Sequence, residues 1–221
     1  MVCPERQTVD AKHSRYGRES CNWIKKRRNE EYYKKSKQDH FRSRAAYKLI
    51  QLNDKYHFLN NAKIVIDVCC APGSWIQAIQ AVLGNTALVI GIDINKTTPV
   101  EGNVFLLQED ITNPDVSNKV NEHISEKADV IISDCSMKTS GTTSLDVERQ
   151  NYLVTCTFEN LVKKVLKAGG HFVAKVFQGP EINAIKKQFQ RSFNFVKFSK
   201  PKSSLSSSKE MYLVCKGYLD E

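Results

Sequence analysis

The fold is decided by residues 64–69, which read IVIDVC and are continuously apolar except for Asp67. An apolar run of this length, ended by Pro72-Gly73, is typical of a β-strand that is buried on both faces. Similar runs recur farther along the chain, at residues 88–93, 104–107, 130–134, 172–177, 195–198 and 211–215. We therefore predict seven strands.

Helical patterns lie between most of these strands. We predict helices over residues 42–56, 75–83, 115–126 and 146–167, the last closed by Gly169-Gly170, with another helix after Pro180. Buried strands that alternate with helices are typical of a Rossmann-like, doubly wound α/β sheet. The last two strands have only a loop between them, so we predict a seven-stranded, mostly parallel sheet with one antiparallel edge strand. Residues 1–25 are predicted to be a basic, flexible tail, and residues 26–221 a single domain that begins with helices.

Charge is distributed unevenly along the 221 residues. The net charge is +8 over residues 1–48, −7 over 49–162 and +10 over 163–216. The last five residues carry −2, so the chain totals +9. Basic ends attract a polyanion such as nucleic acid, because bound phosphates release their counterions. The acidic middle repels phosphate and suits a small cationic ligand. The alternative reading is that these charges are solvated faces with no partner.

The cysteines and the apolar runs restrict where the protein works. The seven cysteines are an odd number and contain no C-x-x-C pair, which predicts a reducing compartment and no structural metal. No apolar run reaches the ~18 residues that cross a bilayer, and no secretory signal is visible. We expect an intracellular monomer that is cytoplasmic or nucleolar, with mitochondria as a further alternative.

Acidic side chains mark the carboxyl ends of the predicted strands. Asp93, Asp110 and Asp134 come at the ends of the second, third and fourth strands, where ligands bind in such sheets. Asp93 is suited to ribose hydroxyls and Asp110 to an adenine amino group, although each could simply begin a turn. The loop over residues 69–75 is rich in small residues but is not G-x-G-x-x-G. This combination favours S-adenosylmethionine, a nucleoside with a sulfonium and no phosphate, over NAD(P).

Lys175 stands inside an otherwise apolar strand. Burial of a lysine is costly unless the ammonium is paired, so we expect an acidic partner or a function. Asp134 ends the neighbouring strand, and Glu210 begins the last strand. If the last strand is antiparallel to the strand of Lys175, all three side chains meet at one edge of the sheet. The alternative is a lysine that extends to solvent from a strand end.

Taken together, several segments resemble the FtsJ/RrmJ family of RNA ribose 2′-O-methyltransferases over residues 20–218. These segments are residues 42–49 (RSRAAYKL), 67–75, 172–179, Ser133-Asp134, Ser140-Gly141 and Glu210-Met211-Tyr212. The chain departs from the family pattern at Cys69 and Ser74, where glycine is usual. It also departs at 135–138 (CSMK), where Met-Ala-Pro-Asn usually follows the aspartate.

The resemblance implies a methyltransferase that uses S-adenosylmethionine and no metal. The family's Lys-Asp-Lys-Glu tetrad falls on Lys48, Asp134, Lys175 and Glu210, with Lys175 as the general base. The implied cofactor residues are Gly73, Trp75, Asp93, Asp110 and Asp134. We add Ser74, which lies in the same loop as Gly73 and Trp75. The N-terminal segment with Trp23 is similar to the bacterial and mitochondrial branch, and residues 42–52 are similar to the nucleolar branch.

The implied substrate is a ribose, that of a uridine, in large-subunit ribosomal RNA. Basic residues are expected to bind RNA phosphates, with base stacking on Tyr32 or Tyr33; they are Lys26, Arg27, Arg28, Lys34, Lys35, Arg42, Arg44, Lys200 and Lys202. Three alternatives stay open: a transfer-RNA ribose methyltransferase, a ribosome-assembly factor that binds RNA after its activity has decayed, and a small-molecule methyltransferase. The two basic ends disfavour the last.

Overall fold

A seven-stranded sheet forms the centre of the protein, in a computed structural model that describes residues 31–136, 143–180, 182–205 and 208–220. Its strands are β1 (Ile64–Val68), β2 (Leu88–Asp93), β3 (Val104–Gln108), β4 (Ala128–Ser133), β5 (Leu166–Phe177), β6 (Phe193–Ser199) and β7 (Glu210–Tyr218). Their spatial order is β3-β2-β1-β4-β5-β7-β6. All seven predicted strands are therefore present.

Seven helices surround the sheet within the described residues. They are α1 (Glu31–Gln38), α2 (Ala46–Tyr56), α3 (Ser74–Leu83), α4 (Val116–Asn121), α5 (Thr143–Thr157), α6 (Lys163–Val165) and α7 (Ile182–Phe189). A 3-10 turn, Gly84–Thr86, follows α3, and a π-helical turn, Phe158–Val162, joins α5 to α6. None of the helices in this part of the chain is long and apolar enough to cross a membrane. The predicted tail, residues 1–25, lies outside the described residues.

The strand directions confirm a mostly parallel sheet. Strands β3, β2, β1, β4 and β5 are parallel to their neighbours, whereas β7 is antiparallel to both β5 and β6. The single antiparallel strand thus lies one place inside the edge, and β6 forms the edge itself. This arrangement follows from the loop after β6, which returns the chain between β5 and β6 instead of extending the sheet outward.

The helix predicted over residues 146–167 extends two residues too far, and it is not a single α-helix. Helix α5 gives way to the π-helical turn, and β5 already begins at Leu166, which pairs with Ala128 of β4. Gly169-Gly170 therefore lie within β5 and do not end a helix. The polar helix predicted over residues 115–126 is shorter in the structure, where α4 ends at Asn121.

The helices form two layers, one on each face of the sheet. Helices α2 and α3 pack on one face with Val65, Val173 and Tyr212. Helices α4, α5 and α7 pack on the other face with Ile66 and other buried strand residues. Successive side chains of a strand point to opposite faces. Asp67, which is two residues after Val65, therefore belongs to the face covered by α2 and α3.

Asp129, in β4, fixes the start of β1. Its Oδ2 accepts hydrogen bonds from the backbone N–H groups of Lys63 (2.7 Å) and Ile64 (2.8 Å). Burial alone raises the pKa of Asp129, but the hydrogen bonds from Lys167 and from these two backbone groups hold it below its usual value. The carboxylate therefore stabilises the native state. This contribution is fully present above the pKa of the unfolded chain and is lost as the pH falls through the lower folded pKa.

We expect Asp129→Asn to lower the free energy of unfolding by about 1–2 kcal/mol at pH 7, because the hydrogen bonds lose their charged acceptor. The difference from wild type should begin to shrink below about pH 4, where the carboxyl of the unfolded chain takes up a proton, and should disappear as the pH falls through the lower folded pKa. Urea unfolding at pH 7, 5 and 3.5 measures both effects. Asp54→Asn, at an exposed position on α2, makes the same charge change and should have little effect. A gap that is independent of pH would contradict the assignment.

Candidate active site

The predicted tetrad lies at the carboxyl edge of the sheet, on the face covered by α2 and α3. Lys175 is two residues after Val173, so the alternation of β5 directs it to this face. In the antiparallel register Lys175 pairs with Tyr212, and Phe177 pairs with Glu210. The start of β7 and the end of β5 therefore meet at one edge, as the sequence predicted from strand direction.

Lys175 and Asp134 form a buried ion pair. Lys175 is 5% exposed, and its Nζ lies 3.2 Å from Oδ1 of Asp134. The same Nζ donates a hydrogen bond of 2.8 Å to the backbone carbonyl oxygen of Asp134. Lys175 is thus not a lysine that extends to solvent, because both contacts hold its amine against the loop after β4.

Three groups keep the Asp134 carboxylate ionised. Burial raises its pKa, but the charges of Lys175 and Lys48, with hydrogen bonds from Tyr212 and Lys175, outweigh burial and lower it below the usual value. The Tyr212 hydroxyl donates to Oδ1 of Asp134 at 2.6 Å. Burial and the charges of Asp134 and Glu210 raise the pKa of Tyr212 well above its usual value, so this hydroxyl remains a proton donor.

Lys48 and Glu210 form the second pair of the tetrad. Lys48 comes from α2 and is 8% exposed, and its Nζ lies 2.6 Å from Oε1 of Glu210. That oxygen also accepts a hydrogen bond of 2.7 Å from the hydroxyl of Ser204, in the loop between β6 and β7. The tetrad is therefore two ion pairs, and the charge of Lys48 extends to Asp134 of the other pair.

A cluster of carboxylates lies beside the tetrad. Asp67 is 1% exposed, and neither of its side-chain oxygens has a hydrogen-bond partner. Burial, followed by the charges of Asp134 and Asp93, raises the pKa of Asp67 well above its usual value. Within the described ranges, no group of three or more His, Cys, Asp or Glu is arranged to hold a metal ion. The cluster creates a negative field that favours a cationic ligand.

The loop between β1 and α3 is held in place by side chains from two other segments. Asp93 accepts from the backbone N–H of Ala71 at 2.9 Å and from that of Asn95 at 2.8 Å. Arg42 donates to the carbonyl oxygens of Pro72 (2.6 Å), Thr98 (2.7 Å) and Pro99 (2.5 Å). These contacts join the loop to the segment after β2 and to the start of α2.

Gly73 is required by this arrangement. Its φ of +103° lies in the region that favours glycine, and a Cβ there would lie 2.6 Å from Nη1 of Arg42. Arg42 was predicted to bind an RNA phosphate. The structure corrects this, because the guanidinium is committed to three backbone carbonyls of its own chain.

The other predicted cofactor residues have structural contacts of their own. The Ser74 hydroxyl donates to that of Ser43 at 2.8 Å, and Trp75 donates from Nε1 to the carbonyl of Ala45 at 2.8 Å while it packs against Tyr212. Asp110 is exposed and accepts from the backbone N–H of Thr112 at 2.9 Å, as in the turn-forming alternative. A cofactor contact at each of these positions stays a prediction.

Two of the cysteines are joined by a disulfide, which the cysteine count did not predict. Cys69 follows β1 and Cys135 follows Asp134, and their Cα atoms are 5.0 Å apart although 66 positions separate them in the sequence. Cys70, Cys156 and Cys215 are thiols. The two cysteines can pair because the fold places the ends of β1 and β4 side by side. The spacing of cysteines along the sequence does not indicate this pairing.

Gln150 is a site residue that the sequence analysis missed. It is fully buried on α5, and its Nε2 donates hydrogen bonds of 2.9 Å to the carbonyl oxygens of both Cys135 and Lys175. It thereby ties β4 to β5 beyond their last paired residues, Ser133 and Ala174. A lone amide within the buried apolar stripe of α5 was the available sequence signal. Tyr212 could have been found from the register of β7 with β5.

Apart from Arg42 and from Arg44, which is partly buried before α2, the predicted RNA-binding lysines and arginines fall into three groups. Lys26, Arg27 and Arg28 lie outside the described residues, as do Trp23, Met137, Lys138, Ser140 and Gly141. Lys34 and Lys35 are exposed on α1, and Lys200 and Lys202 are exposed in the loop after β6. Gln51 connects these two segments, because it donates to the Tyr32 hydroxyl (3.1 Å) and accepts from the backbone N–H of Ser203 (3.0 Å).

We expect Gln150→Met to lower the free energy of unfolding by about 1–3 kcal/mol, because two buried carbonyls lose their donor while the side-chain volume is kept. Chemical denaturation measures the change. Thr157→Val is the matched control, since Thr157 is fully buried on the same helix but donates only to Leu153 of that helix. Equal losses for the two variants would show that Gln150 is an ordinary buried polar residue.

Comparisons with known proteins agree with this geometry. The family model of the FtsJ-like methyltransferases matches residues 41–218. A protein named ribosomal RNA large subunit methyltransferase E, from Archaeoglobus fulgidus, is 41% identical over 193 residues, which are 87% of this chain and 98% of that protein. The protein of the same name from Methanococcus aeolicus is 38% identical over 204 residues, which are 92% of this chain and 76% of that protein.

A solved structure is similar as well. The crystal structure of a ribosomal RNA methyltransferase from Plasmodium falciparum superposes with a TM-score of 0.74 and is 34% identical, covering 82% of this chain and all of that one. The family match spans both ion pairs, the carboxylate cluster and the loop that Arg42 holds. By its sequence, its sheet and the arrangement of these residues, the chain belongs to the FtsJ-like methyltransferase family.

Proposed function

We propose that the protein transfers a methyl group from S-adenosylmethionine to a ribose 2′-hydroxyl, that of a uridine in large-subunit ribosomal RNA. The observation that carries the proposal is the buried amine of Lys175, held by Asp134 beside a cluster of carboxylates at the carboxyl edge of the sheet. The names of the relatives support the RNA class. We further propose an intracellular site of action.

The carboxylate cluster fits the proposed methyl donor. Asp67 has two buried oxygens without partners, and the charges of Asp93 and Asp134 act on it. A cationic ligand relieves that repulsion, whereas a phosphate ligand increases it. When bound, S-adenosylmethionine supplies a methyl group attached to a positively charged sulfur. Asp93 and the loop over residues 69–75 would hold it.

Lys175 is suited to accept the proton of the hydroxyl. A neutral lysine amine has two N–H donors and one lone pair, and Asp134 offers two acceptors, its backbone carbonyl and Oδ1. With both donors used on Asp134, the lone pair is directed away from it, toward the substrate hydroxyl. The hydroxyl oxygen becomes a better nucleophile as its proton moves to Nζ. Lys48 supplies a fixed positive charge near the developing negative oxygen, and Glu210 orients Lys48.

We expect Lys175→Met to reduce kcat for methyl transfer by about 10²-fold or more, since general-base catalysis contributes about 10²–10⁴-fold. The Kd of S-adenosylmethionine should stay within about threefold, because the cofactor is assigned to the carboxylate cluster. Single-turnover methylation of ribosomal RNA and calorimetric titration measure the two quantities.

Two further variants separate catalysis from folding. Lys175→Arg keeps a positive charge opposite Asp134 but has no usable lone pair, so it should be equally inactive while it remains folded. Lys163→Met, at an exposed ion pair with Glu159 beyond the other end of β5, should retain wild-type kcat. Full activity of either Lys175 variant would refute the assignment of the base.

The RNA would bind along α1, α2 and the loop after β6. A cavity of about 490 Å³ opens between α2 and this loop, with Lys55, Lys200 and Lys202 among its lining residues. The same loop carries Ser204, which contacts Glu210 of the tetrad. Phosphates bound there would lie next to the catalytic amines. Tyr32 is packed against Tyr47, so Tyr33 is the better placed ring for stacking on a base.

We expect Lys202→Gln to weaken RNA binding and to reduce the slope of log Kd against log salt by about 0.7–0.9, the value for one phosphate contact. Filter binding between 50 and 300 mM KCl measures the slope. Lys127→Gln removes the same charge from an exposed lysine before β4, beyond the opposite edge of the sheet, and should leave the slope unchanged. If both variants behave alike, the loop is not part of the RNA surface.

The choice of RNA is tested with the wild-type chain. Methyl transfer is assayed on ribosomal particles, naked ribosomal RNA and transfer RNA, and the modified nucleotide is located by mass spectrometry. Methylation of transfer RNA alone would show that the protein is a transfer-RNA ribose methyltransferase, which is the first alternative of the sequence analysis. Binding of RNA without methyl transfer to any substrate would favour the assembly factor.

A further inference from the structure

The disulfide between Cys69 and Cys135 lies at the point where the strand order of the sheet reverses. Strands β1 and β4 are neighbours, and the chain continues from β1 to β2 and β3 on one side and from β4 to β5 on the other. In doubly wound sheets the ligand crevice opens at this reversal, because the chain segments leaving the two strands separate toward helices on opposite faces. Here α3 follows β1 on one face and α5 follows β4 on the other.

The cross-link acts against that separation. The last paired residues of β1 and β4 are Val68 and Ser133, and the two cysteines lie one and two positions beyond them. Their Cα atoms are nevertheless only 5.0 Å apart, which is close to the spacing of paired strands. The disulfide therefore keeps the chain segments together where a doubly wound sheet normally opens its crevice.

The two cysteines also adjoin the groups that line the proposed cofactor site. Cys69 begins the loop over residues 69–73. Two residues later, the backbone N–H of Ala71 donates a hydrogen bond to Asp93. Cys135 directly follows Asp134, the partner of Lys175. Both cysteines stand at positions where the sequence departs from the pattern of the family. A bond between them restrains the cofactor loop and the base-holding loop at once.

We infer that Cys69 and Cys135 form a redox-modification site, in which the disulfide narrows the crevice and weakens binding of the methyl donor, and its reduction restores binding. This inference rests on the proposed function. The reductant is a dithiol, such as a dithiol protein of the thioredoxin type. The reverse reaction uses a disulfide of the same class as the oxidant.

The exchange begins at Cys69. Cys69 is a partly exposed residue, whereas Cys135 is only 1% exposed, so we expect a thiolate of the reductant to attack Sγ of Cys69. Attack forms a mixed disulfide with Cys69 and releases Cys135 as a thiolate, which takes up a proton. The second thiol of the reductant then attacks the mixed disulfide and releases Cys69. The reductant leaves as a disulfide, having supplied two electrons and two protons.

The neighbouring Cys70 does not compete for this exchange. Its side chain is buried against Thr97, with Sγ 3.4 Å from the threonine hydroxyl oxygen. Burial, with the charges of Asp67 and Asp93, raises the pKa of its thiol to about 12, so the reactive thiolate is scarce. Among the described cysteines of the loop that follows β1, the redox response therefore belongs to Cys69.

The test uses the full-length wild-type chain equilibrated with either reduced or oxidised dithiothreitol. Thiols are alkylated and peptides are analysed by mass spectrometry, which reports the Cys69–Cys135 linkage directly. Calorimetric titration of each form with S-adenosylmethionine gives the Kd. We expect the reduced form to bind about tenfold or more tightly than the oxidised form, a coupling typical of two-state control. Cys135→Ser should abolish the difference, and Cys156→Ser, at a thiol on α5, should keep it.

The outcomes separate this inference from the proposed function. Equal or tighter binding by the disulfide-linked form overturns the inference and leaves the proposed function intact. Failure of the Cys69–Cys135 linkage to form with oxidised dithiothreitol also overturns only the inference. If the reduced form does not bind S-adenosylmethionine at all, the proposed cofactor is wrong, and the inference falls with it.

Discussion

The buried contact between Lys175 and Asp134 is the constraint on which the remaining site depends. A charged amine inside a sheet is stable only if its partner is equally fixed, because an unpaired buried charge costs several kcal/mol. Asp134 is fixed by the Tyr212 hydroxyl, and the backbone on both sides of the pair is fixed by Gln150. The antiparallel direction of β7 is part of the same solution, since it is what places Tyr212 opposite Lys175.

Charge divides the molecule into two surfaces with opposite preferences. The carboxyl groups of Asp67, Asp93 and Asp134 lie at the ends of three adjacent parallel strands, where burial, followed by the charges of Asp134 and Asp93, raises the pKa of Asp67. Exposed lysines lie on α1 and on the loop after β6, which also supplies Ser204 to Glu210 of the tetrad. Under the proposed function, the first surface attracts the cationic methyl donor and the second attracts the anionic RNA.

Much of the fold could be predicted from the sequence because buried parallel strands are short, apolar and clearly bounded. The position of Glu210 beside the end of β5 followed from strand direction alone. The point where this helical segment ends and β5 begins could not be predicted, because it is decided by the tertiary pairing of Leu166 with Ala128 of β4, which no local pattern encodes. The partners of Arg42, Gln150 and Cys69 are separated from them by many positions, and no local pattern encodes such contacts.

Arg42 illustrates how composition can mislead. It stands in a basic stretch directly before α2, yet its guanidinium joins the segments after β1 and β2. An alanine scan of the basic residues would score Arg42 as an RNA contact if only overall turnover were recorded. Its loss would instead release the loop between β1 and α3, which Arg42 holds through the carbonyl of Pro72. A mutational scan of lysines and arginines therefore needs separate binding titrations of the RNA and of the methyl donor before the RNA-binding surface is assigned.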